Sequence, residues 1–215
     1  MWQPIDWSLC LVTDRRLAGP LPLEELVRLA VRGGVTVVQL REKEASTREL
    51  IALARRLKAI AAPAGVPLII NDRVDVALAA GADGVHLGQS DMDCRDARAL
   101  LGPDALIGLS VKTVEQAEAA AGLDLAYLGV GPIFPTWTKP DAGFERGVEW
   151  IAALRKVSRR ALVGIGGIGA ANAEQVISAG ADGIAVVSAI CAAPDPEKAA
   201  AELRQIVKRA RTNHA

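Results

Sequence analysis

PLIINDRVDVALAAGADGVHLG, residues 67–88, is the stretch on which the fold turns. Leu68, Ile69 and Ile70 form a short apolar run bounded by Pro67 on one side and by Asn71 and Asp72 on the other, a buried strand by its length and flanks. Val74, Val76, Ala77 and Leu78 belong to a short helix over 74–80, and Gly81 closes it, as glycine commonly does at a helix C-terminus. GADG then leads into a second apolar run at 84–88. Strand, helix, strand is the alternation that builds parallel α/β sheets. The same GADG returns at 180–183, again ahead of an apolar run.

Working outward, the alternation covers the chain. Residues 8–14, SLCLVTD, predict strand one. A helix over 22–32 follows, with Pro22 at its first position, Glu24 and Glu25 in its first turn and Gly33-Gly34 at its end. Residues 35–41, VTVVQLR, predict strand two; Ser46 or Thr47 caps a helix whose Leu50, Leu53, Ala54 and Leu57 share a face. Downstream come a helix over 93–101, strand five at 106–111, a helix capped by Thr113 over 114–121, and strand six at 125–130. A helix over 148–157, strand seven at 161–166, a helix over 171–179, strand eight at 183–190 and a last helix over 196–211 complete the series. Eight units in 215 residues, roughly 27 each, predict a single-domain (β/α)8 TIM barrel over residues 1–215. A doubly wound open sheet is the rival, but TDRRLAGP after strand one lacks the dinucleotide fingerprint.

Composition agrees. The chain is 51% hydrophobic and only 3% aromatic, an aliphatic palette suited to strands covered by helices on every side. Lys plus Arg and Asp plus Glu number 25 each, so no global field favours nucleic acid or an anionic membrane, and any anion site is local. Cys10, Cys94 and Cys191 have neither a disulfide pattern nor zinc spacing, and Cys10 and Cys191 read as small buried hydrophobes. MWQPIDWSL is not a signal peptide, and every apolar run is broken before membrane-spanning length. The expected compartment is the cytoplasm.

A barrel of this type works at the carboxyl ends of its strands. Strand two delivers Gln39, Arg41 and Lys43 at spacing two, hence on one side, facing the mouth. Strand three ends in Asn71 and Asp72; Gln89, Ser90 and Asp91 follow strand four. Carboxylates on neighbouring strand ends repel unless a cation lies between them, and such oxygen ligands suit Mg2+; Asp91 as a helix cap is the structural alternative. Strand five ends with Ser110 and then Lys112. Strand six opens into GVGPIFPTWTKPDAG, residues 129–143, stiffened by Pro132, Pro135 and Pro140 and offering Thr136, Thr138 and Lys139 to an anionic group. Gly166, Gly167, Ile168 and Gly169 after strand seven, with Val187 and Ser188 ending strand eight, occupy the usual phosphate cradle. These residues form two anion-binding regions. One combines Mg2+ with Arg41, Lys43, Thr136, Thr138 and Lys139; the other holds Gly167 and Ser188. No nucleophile or base is well placed: His214 lies in the tail and His86 reads as a satisfied core residue. Metal-assisted displacement of diphosphate fits such a set.

VTVVQLREK, LIINDRVDVALAAGADGVHLGQSDM, GVGPIFPTWTK and GIGGI together resemble the thiamine phosphate synthase family, from LVTDRRL at Leu11 to ISAGADGIAVVSAI ending at Ile190. The resemblance implies transfer of hydroxymethylpyrimidine from its diphosphate to thiazole phosphate, giving thiamine phosphate and pyrophosphate. It assigns the pyrimidine diphosphate to Gln39, Arg41, Lys43 and Asn71, Mg2+ to Asp72 and Asp91, the pyrimidine to Ser110, and the diphosphate to Lys139. It moves Thr136 and Thr138 to the thiazole phosphate side, with Gly167, Val187 and Ser188. Lys139, Arg41 and Ser110 are the expected catalytic residues. The implied mechanism is dissociative: pyrophosphate leaves, a pyrimidine methylene cation forms, and the thiazole nitrogen attacks it. The implied partners are the two small-molecule substrates, without nucleic acid or membrane; a homodimer is left open.

Two positions depart from the family pattern. Lys112 stands after GLSV where histidine is frequent, and Trp137 fills the free position of TxTK where the residue is usually smaller. The sister activity, thiazole tautomerase, needs an acid–base histidine in place of Lys112. A phosphate-sugar isomerase needs a strand-end base. A non-catalytic sensor of thiamine intermediates has little use for the full metal and lysine set.

Overall fold

The computed structural model describes residues 5–138 and 143–213. The first half runs β1 (Leu9–Val12), α1 (Arg15–Ala18), α2 (Leu23–Arg32), β2 (Val37–Leu40), α3 (Thr47–Ala61), β3 (Leu68–Asn71), α4 (Val74–Ala80), β4 (Gly84–Leu87) and α5 (Cys94–Leu101). The second runs β5 (Leu106–Val111), α6 (Val114–Ala119), β6 (Tyr127–Val130), α7 (Glu149–Val157), β7 (Ala161–Ile165), α8 (Ala173–Ser178), β8 (Gly183–Val186), α9 (Ser188–Cys191) and α10 (Pro196–Asn213). The strands pair in chain order, all parallel, and β8 returns to β1 through Cys10 opposite Ala185. The fold is the predicted TIM barrel. Among the described residues no helix is long and apolar enough to cross a membrane.

Strand alternation divides the core in two. Val37 faces the barrel interior with Trp7, Cys10, Ile69, Tyr127 and Val163, whereas Val38 and Leu40 face the helices with Leu23, Leu26, Leu53 and Leu57. The helices present matching stripes: Leu23, Leu26, Val27 and Ala30 are the buried residues of α2. Gly108 makes room for the one tyrosine, since a Cβ there would lie 2.2 Å from the Tyr127 ring.

The GADG echo is a repeated structural device. Asp83 takes the Leu68 amide on its Oδ2 at 2.8 Å, and Asp182 takes the Leu162 amide in the same way at 2.7 Å. Each aspartate also returns its own amide to the same residue's carbonyl, at 2.9 and 2.8 Å. Each is paired with a cation from a preceding helix, Lys58 for Asp83 and Arg155 for Asp182. The glycine that follows starts its strand against a neighbouring backbone: a Cβ at Gly84 would lie 1.9 Å from the Leu106 oxygen, and at Gly183 1.8 Å from the Trp7 oxygen.

Several predicted boundaries move. Strand eight ends at Val186, and Ser188 opens the single turn α9; a largely apolar run of this length reads alike as strand or buried helix. α1 was not predicted; Asp14 makes it by accepting the Arg16 and Leu17 amides. Pro22 is the residue before α2, with extended ψ, rather than its first residue. Ser46, not Thr47, caps α3, in a reciprocal pair with Glu49. Asp93, not Asp91, caps α5.

Candidate active site

At the carboxyl ends of the strands lies a cavity of about 450 Å³ to which all eight strands or their following loops contribute. β2 supplies Gln39 and, beyond its end, Arg41 and Lys43, so the predicted spacing of two does put these three on the mouth. β3 and its end supply Asn71 and Asp72; the loop after β4 supplies Gln89 and Asp91; β5 supplies Ser110, followed by Lys112. Thr136 and Thr138 come from the loop after β6, Gly167 from the loop after β7, and Val187 and Ser188 from the link between β8 and α9 and the first residue of α9. One cavity thus gathers the predicted set except Lys139, which lies outside the described residues.

Arg41, Asp72, Asp91 and Gln89 are held by neighbouring groups. Thr13, fully buried, accepts the Arg41 amide at 3.0 Å, and Asp14 Oδ2 lies 3.8 Å from the Arg41 guanidinium while its other oxygen caps α1. The Asp72 amide donates to the His86 carbonyl at 2.8 Å, and Asp72 itself has φ 64°, a left-handed conformation that few aspartates adopt. Asp91 Oδ2 accepts the Gly88 amide at 2.6 Å, which folds the loop after β4 back onto its strand. Gln89 donates to the Ser110 carbonyl at 2.7 Å, tying that loop to β5.

The loop after β6 is anchored on the glycine-rich loop after β7. The Ile133 and Phe134 amides donate to the Ile165 and Gly166 carbonyls, extending the β6–β7 pairing beyond both strands. The returning leg closes on the outgoing one through Arg146 to Pro132 and Gly147 to Ile133. Thr136 and Thr138 share a hydrogen bond of 3.1 Å between their hydroxyls. Gly167 has φ 63°, and a Cβ there would lie 2.5 Å from the Pro135 oxygen, so glycine is required by conformation and by contact. Asn172 braces the glycine loop, accepting the Gly169 amide at 2.8 Å and donating to the Gly167 carbonyl at 3.0 Å. α8 and α9 are six and four residues long. What the cradle offers an anion is therefore backbone N–H groups more than a helix dipole.

The sequence reading set aside His86 and overlooked Tyr127. The structure confirms that His86 is satisfied, yet both line the cavity. His86 bridges Tyr127 Oη at 2.7 Å and Ser110 Oγ at 2.8 Å, and Gln39 donates to Tyr127 Oη at 3.3 Å. Position 86 falls on the same inward alternation as 84 and 88, the signal that found Gln39 and Arg41. Cys10 and Cys191 are buried as expected, and burial pushes both thiols up to about 12, which keeps them inert. Trp137 is 70% exposed, so it packs on no core.

The family model described as thiamine monophosphate synthase matches residues 9–190. The chain is 55% identical to the thiamine-phosphate synthase of Azorhizobium caulinodans, over 98% of this chain and all of that one. It is 54% identical to the corresponding protein of Albidiferax ferrireducens, over 93% of this chain and 91% of that one. Among solved structures, the thiamine phosphate pyrophosphorylase from Pyrococcus furiosus superimposes with a TM-score of 0.88 at 40% identity, covering 96% of this chain and 98% of that one. With that match spanning all eight strands, the chain belongs to the thiamine monophosphate synthase family.

Proposed function

We propose that this chain is a thiamine-phosphate synthase, a transferase that joins hydroxymethylpyrimidine diphosphate to thiazole phosphate and releases pyrophosphate. The observation that carries the reading is the gathering of two carboxylates, Asp72 and Asp91, three cationic side chains, Arg41, Lys43 and Lys112, and a glycine loop around one cavity, in a member of this family. Asp72 and Asp91 suit Mg2+. Among the described residues no group of three or more His, Cys, Asp or Glu could cage an ion. Two carboxylates match a cation that takes its remaining ligands from water and substrate phosphate. Bound there, Mg2+ would offset charge on the diphosphate.

Arg41 and Lys43 hold the diphosphate beside those carboxylates, and Lys139 completes its charge balance. Gln39, Asn71 and Ser110 orient the pyrimidine. Thr136, Thr138, Gly167, Val187 and Ser188 hold the acceptor phosphate, which aims the thiazole nitrogen at the pyrimidine methylene. The carbon–oxygen bond breaks with its electron pair going to pyrophosphate, and the nitrogen lone pair forms the new carbon–nitrogen bond. No proton must be removed from the acceptor nitrogen, so no general base is needed. The work of the site is charge stabilisation and orientation. Lys112 lines the cavity where a tautomerase needs an acid–base histidine, which favours the synthase. The substrates are phosphorylated and cross membranes poorly, which supports a cytoplasmic enzyme.

The test is direct: purified protein with both half-substrates and Mg2+ yields thiamine phosphate. Binding of both without product would instead make the chain a sensor of these intermediates.

A further inference from the structure

Gln39, Tyr127, His86 and Ser110 form one hydrogen-bonded line across the barrel interior, each from a different strand, with successive separations of 3.3, 2.7 and 2.8 Å. The line is rigid. Tyr127 lies against Gly108 and packs on Trp7 with the rings tilted by 32° and their centroids 4.3 Å apart, and a Cβ at Gly129 would come within 2.8 Å of His86 Cε1.

Read from the Gln39 N–H, the donors and acceptors run in one direction. Gln39 gives an N–H to Tyr127 Oη. Tyr127 is 3% exposed, and burial pushes its phenol well above the ordinary range, so it keeps its proton. That proton needs an acceptor, because a buried O–H without one is costly. His86 Nδ1 lies in reach at 2.7 Å and therefore presents its lone pair. The imidazole proton then sits on Nε2 and is donated to Ser110 Oγ. With its oxygen engaged as an acceptor, Ser110 turns its own proton toward the cavity.

We infer that this line is a directional relay in which Tyr127 and His86 are positioning residues that set Ser110 as a hydrogen-bond donor to the substrate ring. The inference rests on the proposed function for the identity of that ring. It adds a specificity rule: the ring edge facing Ser110 must carry an acceptor, as a pyrimidine nitrogen does, and an analogue with C–H at that place leaves the donor unpaired. Relays of this kind reverse if their far end becomes an obligate acceptor. Gln39→Glu supplies one in its ionised form, since a carboxylate only accepts, so the variant is read at a pH high enough to ionise it.

The tautomer of His86 reads the relay directly. In a His214→Gln background, which leaves His86 as the one histidine, ¹⁵N NMR of the substrate-free protein at neutral pH should show the proton on Nε2. Gln39→Glu should move it to Nδ1. Tyr127→Phe, which keeps the ring and removes the O–H, should release the tautomer preference and lower kcat roughly tenfold, one hydrogen bond's worth, with KM for the pyrimidine diphosphate little changed. A proton on Nδ1 in the parent, an unmoved tautomer in Gln39→Glu, or unchanged kcat in Tyr127→Phe overturns the relay. The tautomer is measured without substrate, so a failure of the synthase assay removes the kcat comparison and leaves the two tautomer readouts intact, and the reverse.

Discussion

Asp91 is the residue whose charge and structural duty separate most cleanly. An asparagine there can still accept the Gly88 amide that Asp91 holds at 2.6 Å, so Asp91→Asn keeps the loop and removes the charge. Turnover should fall roughly tenfold to a hundredfold, with a higher Mg2+ concentration for half-maximal rate; steady-state kinetics over a Mg2+ titration measures both. Gly167→Ala acts on the other half of the site. Its Cβ would strike the Pro135 oxygen at a backbone φ of 63° and displace the loop carrying Thr136 and Thr138. KM for thiazole phosphate should rise more than kcat falls, which initial-rate kinetics in each substrate resolves. Residues of this kind were legible where side-chain direction followed from spacing: Gln39, Arg41 and Lys43 alternate onto one side, and Asp72 and Asp91 end adjacent strands. His86 obeyed the same alternation but was passed over, because spacing tells which side of a strand a residue faces and not what meets it across the barrel. Its partners Tyr127 and Ser110 are 41 and 24 positions away.

Helices were legible in proportion to their length. α3 has a strong stripe and a capping signal, and Ser46 accepts the Glu49 amide while Glu49 returns to the Ser46 amide at 2.9 Å. Ser46→Ala should therefore cost about 1 kcal/mol of stability, measured by urea unfolding. α1 and α9 are four residues each, shorter than any periodicity can reveal, and each follows directly on a strand end, α1 with the Asp14 side chain as its cap. The run GIAVVSAI is apolar except for Ser188, where the helix begins, and one serine inside such a run does not by itself mark where strand gives way to helix. The loop after β6 was recognisable as stiff from its prolines. Its attachment to the β7 loop was not, because that attachment is made by backbone groups of Ile133 and Phe134 on Ile165 and Gly166.

At the scale of the whole molecule, closure of the barrel is a charge problem as well as a packing one. Asp6, just ahead of β1, meets Arg204 and Arg211 of α10. Burial pushes its carboxyl up, but the Ser8 hydroxyl and amide and the two guanidinium groups outweigh that and hold it below its ordinary value. A carboxyl lowered in the folded state stabilises the fold fully above its unfolded pKa of about 4, and that contribution is lost as pH falls through the lower folded value. Asp6→Asn should thus lower Tm near neutral pH and narrow the gap from the parent below pH about 4, as thermal melts across pH would record. The eightfold alternation made the closed barrel readable, and the GADG echo marked two equivalent junctions. That the echo binds strand to strand through Asp83 and Asp182 became visible only with the neighbouring amides in place. The central claim, one cavity in which diphosphate departure and acceptor attack are joined, is tested most directly by product stoichiometry. With both half-substrates and Mg2+, pyrophosphate and thiamine phosphate should appear in a one-to-one ratio; pyrophosphate released without matching thiamine phosphate would contradict it.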